Sequence, residues 1–386
     1  MPLIHLRPHQ QSAVINMSTY NRGQVIMPTG SGKTITMIQD AIDSMGAEEQ
    51  TIVVVAPTIV LSNQLCKEFM EFVDGVNVMC VHSGYTPYFT STNPLDIKNW
   101  CYHIRGHKFI FTTYHSLHRI QVSGVRPNTV YMDESHNSVQ RQFFRSVEYF
   151  SDYAKRCYFF TASPVHSFSS DKPGMNDINV YGEVICNVPV TSMISGGYIV
   201  PPVLHTITSD KLVDSNYPLE VDINQLMKSI EDHQLNNVLV SCKNTTQLFH
   251  VSTSQRFRQF CNNGRYTIYS ISSRYGCFIG RDKVRRETMM KHMRENTGKF
   301  VLFHVSILCE GVNVPTLDGI VLLKKLNTTQ MVQSIGRVLR LSEGKTEGKV
   351  ILPVYSRYLK KTEKYVVNLM ESVYTNGQTP VNKITR

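Results

Sequence analysis

The chain has 386 residues, 41% of them hydrophobic, and this length and composition predict two folded domains rather than a disordered chain. No apolar run approaches the roughly 20 residues that a membrane-spanning helix needs, and Met1–Tyr20 contains no apolar block typical of a signal peptide. The nine cysteines are scattered without a C-x-x-C pair, which argues against a disulfide framework or zinc site and favours a reducing compartment.

The net charge of +10 is concentrated in the second half of the chain. Residues 1–198 carry 14 basic and 15 acidic side chains, whereas residues 199–386 carry 26 and 15. Within 256–299 there are eleven basic residues and three acidic ones. A basic second half fits binding to a phosphate backbone, but basic residues also keep proteins soluble, so composition alone leaves both interpretations open.

The first informative element is the stretch Met27–Thr34, MPTGSGKT, between the β-like Val25–Ile26 and the helical Ile35–Ala41. A strand, a glycine-rich turn, Lys-Thr and a helix form a phosphate-binding loop, although Met27 stands where the strict formula has glycine. We expect Lys33 to reach the β- and γ-phosphate oxygens and the Thr34 hydroxyl to ligate Mg²⁺. The candidate nucleotide-binding residues of the loop are Pro28, Thr29, Gly30, Ser31, Gly32, Lys33 and Thr34.

The rest of the first half alternates strand-like and helical stretches. A strand over Thr51–Ala56 is followed by a helix over Leu61–Phe72, and further strands are predicted over Lys108–Thr112, Val130–Asp133 and Arg156–Phe160. This alternation predicts a parallel sheet covered by helices.

Two short motifs follow the last two of these strands. Asp133-Glu134-Ser135-His136 comes after an apolar strand, at the carboxyl edge where parallel sheets bind ligands. Asp133 is expected to coordinate Mg²⁺ and Glu134 to orient and deprotonate the attacking water. An isolated acidic pair is more often a helix cap or a solvated loop, but one hundred residues after a phosphate-loop lysine the catalytic interpretation is favoured. The second motif, Thr161-Ala162-Ser163, follows the predicted strand Arg156–Phe160.

A change of domain is predicted near Val190–Pro202, where Gly-Gly and Pro-Pro occur together. The predicted boundaries are a first domain over 1–193, a linker over 194–203, a second domain over 204–356 and a basic C-terminal helix over 357–386. The second domain repeats the α/β alternation. Its predicted strands are Val238–Ser241, Tyr266–Ile271, Phe300–His304, Ile320–Leu323 and Val350–Val354, and its predicted helices are Thr245–Cys261, Asp282–Glu295, Thr328–Leu341 and Arg357–Tyr374.

The helix Thr328–Leu341 carries the motif Q-S-I-G-R-V-L-R. Gln333, Arg337 and Arg340 are spaced i, i+4 and i+7, so we expect one helical face to present all three. Two guanidinium groups so placed can act as arginine fingers on a γ-phosphate, worth on the order of 10³-fold in rate. The alternative is a basic helix with a solvated face.

The order of the motifs resembles that in the superfamily 2 DExH helicases and translocases. Along the chain these motifs are GKT, DESH, TAS, EGVNVP (Glu310–Pro315) and QSIGRVLR. Glu310–Pro315 and Gly196–Pro202 are most similar to the branch with type I and type III restriction motor subunits and phage DNA helicases. The resemblance covers roughly residues 3–355. It implies an α/β fold with two RecA-like parallel-sheet domains in tandem, ATP and Mg²⁺ bound between them, and motion driven by hydrolysis.

The same resemblance implies several further residue roles. His136 completes the DExH box, and the TAS hydroxyls link nucleotide state to domain movement. Gly311 approaches the nucleotide closely, and Asn313 replaces an Asp that commonly touches the ribose. Leu6–Gln10 resembles an adenine-reading motif, which implicates Arg7 and Gln10 in nucleotide binding.

Contacts to nucleic acid are predicted from weaker signals. Pro57 and Thr58 resemble one backbone-binding motif, and Thr113, within Thr112–Leu117, resembles another. Taken singly, such residues are more often turns or caps. The clustered basic residues proposed as part of the backbone track, which an ordinary exposed helix would resemble, are Arg281, Lys283, Arg285 and Arg286.

The sequence therefore predicts an ATP-dependent helicase or translocase that uses Mg²⁺ and acts on nucleic acid, with DNA favoured over RNA. Three alternatives stay open: a motor subunit of a restriction-type complex, an RNA helicase, and a nucleic-acid-binding module that lacks catalysis. We expect no membrane association, a monomer on its own, protein partners that supply substrate specificity, and a cytoplasmic or nuclear location, with a virus or phage as one conceivable source.

Overall fold

The computed structural model describes residues 4–169, 171–213, 220–272, 274–305, 317–324 and 326–384. The chain forms two compact units. The first comprises Met1–Pro189 with Thr379–Arg386, and the second comprises Val190–Gln378. None of the helices in the described part of the chain combines the length and apolar character that crossing a bilayer requires.

The first unit is a parallel sheet covered by helices. Its strands are β1 Arg22–Ile26, β2 Thr51–Ala56, β3 Asn77–Val81, β4 Phe89–Thr90, β5 Lys108–Thr113, β6 Thr129–Met132, β7 Arg156–Thr161, β8 Val165–Ser167 and β9 Val184–Asn187. Its helices are α1 Pro8–Thr19, α2 Lys33–Ser44, α3 Ile59–Met70, α4 Pro94–His103, α5 Leu117–Ser123, α6 Arg141–Tyr153 and α7 Ile178–Tyr181. Eight strands pair in the order β4-β3-β5-β2-β6-β7-β1-β9, all in parallel.

Hydrophobic side chains from both faces of this sheet form the core of the first unit. The run Ile52–Ala56 in β2 is fully buried, as expected for a central strand covered by helices on both faces. The carboxyl ends of β1, β2, β5, β6 and β7 share one edge, so the residues that follow these strands are brought together there.

The second unit repeats this architecture. Its strands are β10 Pro202–Val213, β11 Asn237–Ser241, β12 Tyr266–Ser272, β13 Gly276–Ile279, β14 Asp282–Val284, β15 Lys299–His304, β16 Gly319–Leu322 and β17 Gly348–Ser356. Its helices are α8 Val190–Ser195, α9 Glu220–Asp232, α10 Thr245–Thr253, α11 Gln255–Asn263, α12 Arg286–Glu295, α13 Thr328–Val338 and α14 Arg357–Leu369. The sheet order is β10-β17-β16-β11-β15-β12-β13-β14, with parallel pairs from β10 to β12 and an antiparallel edge from β13 to β14.

The helices expected from the sequence over Thr245–Cys261, Asp282–Glu295 and Thr328–Leu341 differ in the structure. The predicted helix Thr245–Cys261 is broken at Ser254, whose hydroxyl accepts a hydrogen bond from the Phe257 amide and caps α11. The predicted helix Asp282–Glu295 begins only at Arg286, because Asp282–Val284 pairs with β13 as β14. The third, Thr328–Leu341, ends at Val338.

The segment predicted as a linker, 194–203, lies within the second unit. Ile199 and Val200 are buried there, and the Val200 amide donates a hydrogen bond to the Leu339 carbonyl at 2.9 Å. These contacts, rather than the Gly-Gly and Pro-Pro signals, decide to which unit the segment belongs.

The C-terminal segment is not helical throughout, so the expectation of a single basic helix over 357–386 is wrong. After α14, Met370–Thr375 forms a π-helical turn, and Gly377 takes a left-handed conformation at φ 67° that ends the helical path. A final strand, β18 Asn382–Ile384, pairs in parallel with β8 of the first unit.

Candidate active site

The glycine-rich loop joins β1 to α2 at the carboxyl edge of the first sheet. Gly30 and Gly32 take left-handed conformations, at φ 86° and 83°, which cost other residues about 1–2 kcal/mol. A Cβ atom added at Gly32 would clash with Nε2 of Gln10. Lys33 and Thr34 then form the first turn of α2, where the backbone N–H groups have no partner within the helix.

Helix α1 supports this loop from one side. The Gln10 amide nitrogen donates to the carbonyl of Ser31 at 3.0 Å, and its Oε1 accepts from the Arg7 amide at 2.8 Å. The Arg7 guanidinium donates to the Gly30 carbonyl at 3.4 Å. His9, which the sequence analysis did not select, has Nε2 2.9 Å from the Ser31 carbonyl oxygen. Arg7 and Gln10 therefore contact the loop, and adenine recognition by them stays a prediction.

The acidic pair follows β6 and meets the loop lysine. Lys33 Nζ lies 3.5 Å from Glu134 Oε1, with both side chains mostly buried. Asp133 is also buried, and its Oδ1 has no hydrogen-bond partner among the described residues. Burial raises the pKa of Asp133 to about 7, and the neighbouring Glu134 charge acts in the same direction while Lys33 opposes it. Two carboxylates and one ammonium group therefore lie together beside the glycine-rich loop.

These residues fit a magnesium–nucleotide ligand. The buried, unpartnered oxygen of Asp133 lacks the hydrogen bonds that normally compensate a buried carboxylate, and a cation is the group that would satisfy it. The uncapped first turn of α2 and the two left-handed glycines form the cradle that a phosphate requires.

His136 connects the second motif to the third. Its Nδ1 lies 3.5 Å from Glu134 Oε2 and 3.1 Å from Thr161 Oγ1. The Thr161 hydroxyl also accepts a hydrogen bond from the Ser163 amide at 3.1 Å. The DESH and TAS motifs therefore form one bonded network at the ends of β6 and β7.

The predicted nucleic-acid residues of the first unit lie at the same edge. Thr58 caps α3 by accepting from the Leu61 amide at 3.3 Å, with Pro57 before it. Thr113 ends β5, is buried, and its hydroxyl accepts from the Ser116 amide at 3.3 Å. Both hydroxyls serve local turns in the structure, so their contact with nucleic acid stays a prediction.

In the second unit, the predicted arginine-finger residues do not share one helix. Gln333 and Arg337 are buried on α13. Arg340 follows the end of the helix and is half-buried, because the chain leaves helical geometry after Leu339, whose carbonyl accepts from Val200. The expectation of a single helical face for all three residues is therefore wrong for Arg340.

A buried histidine accompanies this helix. His304 ends β15, and its Nε2 lies 2.7 Å from the Ser241 hydroxyl at the end of β11. Burial lowers the pKa of His304 to about 3, and the positive charges of Lys324 and Arg337 add to this effect. His304 is therefore neutral at pH 7. The sequence analysis missed His304, and a polar residue at a predicted strand end was the only available signal. Gly311 and Asn313 lie outside the described residues.

The basic cluster of the second unit lies around the outer edge of its sheet. Arg281, Lys283 and Arg285 are exposed, and Arg286 is half-buried at the start of α12. Arg281 lines an open groove of about 720 Å³ together with Arg258 of α11. The other side chains lining this groove are amides, a hydroxyl, a tyrosine and aliphatic groups, without a carboxylate. Burial and the Arg281 charge both lower the pKa of Arg258.

Family models match both units. Residues 3–166 match the family described as "Type III restriction enzyme, res subunit", and residues 222–342 match the family described as "Helicase conserved C-terminal domain". The two matches together support a superfamily 2 helicase-type protein related to restriction motor subunits. No curated protein sequence matched the chain.

Two solved structures share the fold. One is titled "ATP-dependent Type ISP restriction-modification enzyme LlaBIII bound to DNA"; it matches 99% of this chain with a TM-score of 0.75 and 19% identity. The other is a nuclease-deletion mutant of the Type ISP enzyme LlaGI in complex with a DNA substrate mimic, which matches 98% with a TM-score of 0.67 and 19% identity. The chain spans 31% and 30% of those two proteins. The predicted tandem RecA-like fold is confirmed.

Proposed function

We propose that this protein hydrolyses ATP with Mg²⁺ and uses the energy to translocate along, or unwind, DNA. The observation that carries the proposal is the meeting of Lys33 and Glu134, 3.5 Å apart, beside the unpartnered carboxylate oxygen of Asp133. A lysine ammonium, two carboxylates and an uncapped helix N-terminus at the edge of a parallel sheet are the groups that phosphoryl transfer to water needs.

The residues take distinct roles in this proposal. The backbone of Gly30–Lys33 and the Lys33 ammonium bind the phosphates, while Thr34 and Asp133 would hold Mg²⁺, which supplies charge neutralisation when bound. Glu134 orients and deprotonates the attacking water, and His136 links Glu134 to Thr161. Gln333, Arg337 and Arg340 are assigned to the charge that develops on the γ-phosphate.

Two observations favour DNA over RNA as the nucleic acid: the ligands of the structural neighbours and the positive charge of this chain. Both structural neighbours were solved with DNA or a DNA mimic, and the second half of this chain is strongly basic. A second candidate function is that of a motor subunit in a restriction-type complex, because both structural neighbours are restriction-modification enzymes. Monomeric state and intracellular location stay predictions.

ATP hydrolysis by wild type and Glu134→Gln, measured with and without single-stranded and duplex DNA or RNA, tests this function. We expect DNA to stimulate the wild type and the substitution to lower kcat by about 10²–10⁴-fold, because it removes the general base. Binding of ATP should persist, since Lys33 and the loop are unchanged. The matched control is Glu148→Gln, an exposed glutamate on α6. Wild-type rates in Glu134→Gln would refute the assignment, and strand-displacement assays on DNA and RNA forks separate a helicase from a translocase.

A further inference from the structure

Glu134 adopts a backbone conformation that few residues other than glycine take. Its φ of 45° and ψ of 50° lie in the left-handed region, at the junction between β6 and the 3₁₀ turn Ser135–Asn137. Such a conformation persists only where surrounding contacts determine it. Because the direction of the Glu134 side chain follows from this backbone, the contacts that hold it also decide where the carboxylate points.

Hydrogen bonds fix the peptide groups on both sides of Glu134. The Asp133 amide donates to the Val55 carbonyl at 2.9 Å and so extends the pairing of β6 with β2. The Glu134 carbonyl accepts from the backbone amide of Asn137 at 3.0 Å and from its side-chain amide at 3.1 Å. The Asp133 carbonyl, which belongs to the peptide bond between the two acids, accepts from the Tyr114 hydroxyl at 2.9 Å.

Tyr114 is the first residue after β5. Its amide donates to the Ala56 carbonyl at 3.1 Å, and its buried ring contacts Phe143 of α6, with the centroids 5.8 Å apart. Burial raises the pKa of Tyr114 well above its usual value, so the hydroxyl keeps its proton and stays a donor at neutral pH. Its neighbour His115 is exposed, and the His115 ring lies edge-on to Phe143.

We propose that Tyr114 is a positioning residue for ATP hydrolysis: its hydroxyl holds the Asp133 carbonyl, and through it the left-handed backbone that aims Glu134. Tyr114 lies between Thr113, a predicted nucleic-acid contact, and the exposed His115. A shift of this segment on binding DNA therefore reaches the peptide bond of the catalytic pair through a single hydrogen bond. This inference rests on the proposed function and adds to it a route for stimulation by DNA.

Substitution Tyr114→Phe removes the hydroxyl and keeps the packed ring. We expect kcat to fall about tenfold, because the buried Asp133 carbonyl loses its partner and the left-handed backbone of Glu134 loses one of the contacts that determine it. The KM for ATP should stay within about twofold of wild type, since Lys33 and the loop are untouched, and the ratio of rates with and without DNA should fall. A merely structural role would not separate kcat from KM in this way.

The matched control is Tyr158→Phe in the same unit. Tyr158 is also buried, and its hydroxyl lies 2.5 Å from the Met17 carbonyl oxygen and 2.8 Å from that of Tyr20, away from the acidic pair. It also accepts a hydrogen bond from Arg156 Nε at 2.8 Å, so the thermal unfolding midpoint of Tyr158→Phe should fall at least as far as that of Tyr114→Phe. Only Tyr114→Phe should lower kcat.

A double variant that combines Tyr114→Phe with Glu134→Gln tests whether Tyr114 acts through Glu134. If Tyr114 acts through Glu134, the double variant should hydrolyse ATP within about twofold of Glu134→Gln alone, because the group being aimed is already inactive. A kcat of Tyr114→Phe equal to that of wild type, or a full additional tenfold loss in the double variant, would overturn the role of Tyr114 while the ATPase function stands. A wild type without ATP hydrolysis would overturn both.

Discussion

The two units share a parallel-sheet architecture but use the carboxyl edge of the sheet differently. In the first unit this edge gathers carboxylates around one ammonium group, and Glu134 lies 3.5 Å from both Lys33 and His136. In the second unit the corresponding strand ends gather His304 close to the positive charges of Lys324 and Arg337. The first edge has the groups that bind a metal ion together with phosphates, whereas the second edge has positive groups that attract an anion without a metal ion.

The N-termini of two helices show the same contrast. Helix α2 begins after Gly32, which has no side chain to cap it, so the N–H groups of its first turn remain for a ligand. Helix α13 begins with a capping box: the Asn327 side chain accepts from the Gln330 amide at 2.8 Å, and Gln330 accepts from the Asn327 amide at 3.5 Å. Of these two helices, α2 has free N–H groups at its start for a phosphate, which supports the proposed assignment of ATP binding to the first unit.

Alanine substitutions of Lys33 and Arg340 test this division most strongly. We expect Lys33→Ala to abolish ATP binding, whereas Arg340→Ala should bind ATP normally and lose about 10³-fold in hydrolysis, as arginine fingers do. Equilibrium binding of a fluorescent ATP analogue and single-turnover hydrolysis distinguish the two. Lys361→Ala, on the exposed face of α14, is the control. Loss of ATP binding in both variants would break the comparison.

A buried ion pair in the first unit supports the loop-bearing helix. Asp40 on α2 accepts from the Arg156 guanidinium at 2.5 Å and from the Tyr131 hydroxyl at 2.5 Å, which joins α2 to β7 and β6. Substitution Arg156→Leu leaves the buried Asp40 without its cation, so the free energy of unfolding should fall by about 3–5 kcal/mol in chemical denaturation. Arg141→Leu, which removes an exposed pair with Asp171, should cost less than about 1 kcal/mol.

The pH dependence of Arg156→Leu has a definite sign. Burial already raises the pKa of Asp40 in the folded protein while Arg156 lowers it, so loss of Arg156 raises it further. The folded state then binds more protons than the unfolded state above the ordinary carboxyl pKa, and its stability falls as pH rises. The destabilisation should therefore be larger at pH 8 than at pH 5, and a difference independent of pH would contradict this account.

Much of the first unit was predictable because its signals are local. The loop, the acidic pair and the TAS motif each follow a short apolar strand, and the rule that parallel strands share a carboxyl edge brings them together. The contacts that support them were not predictable. Asp40 and Arg156 are separated by 116 residues, and Tyr114 gives no sign in the sequence that its hydroxyl reaches the Asp133 carbonyl.

The second unit was less predictable because tertiary contacts overrode local patterns. Asp282–Val284 reads as the start of a charged helix, yet it pairs with β13. Arg340 fits a helical face by spacing, but the Leu339 carbonyl accepts from Val200, 139 residues earlier, and the helix ends before it. Local propensity decides such boundaries weakly when strand pairing or a distant amide competes for the same backbone groups.

The smallest expected effect concerns the groove lined by Arg258 and Arg281. The Arg258 guanidinium donates to the Gly280 carbonyl at 3.2 Å, while its buried Nε has no hydrogen-bond partner among the described residues. Two guanidinium groups without a lining carboxylate favour a phosphate backbone as the ligand. Each of Arg258→Gln and Arg281→Gln should reduce the slope of log K for DNA against log salt by about one, uniformly across sequences. Lys360→Gln on α14 should leave the slope unchanged, and equal slopes in all variants would show that this groove does not contact the DNA backbone.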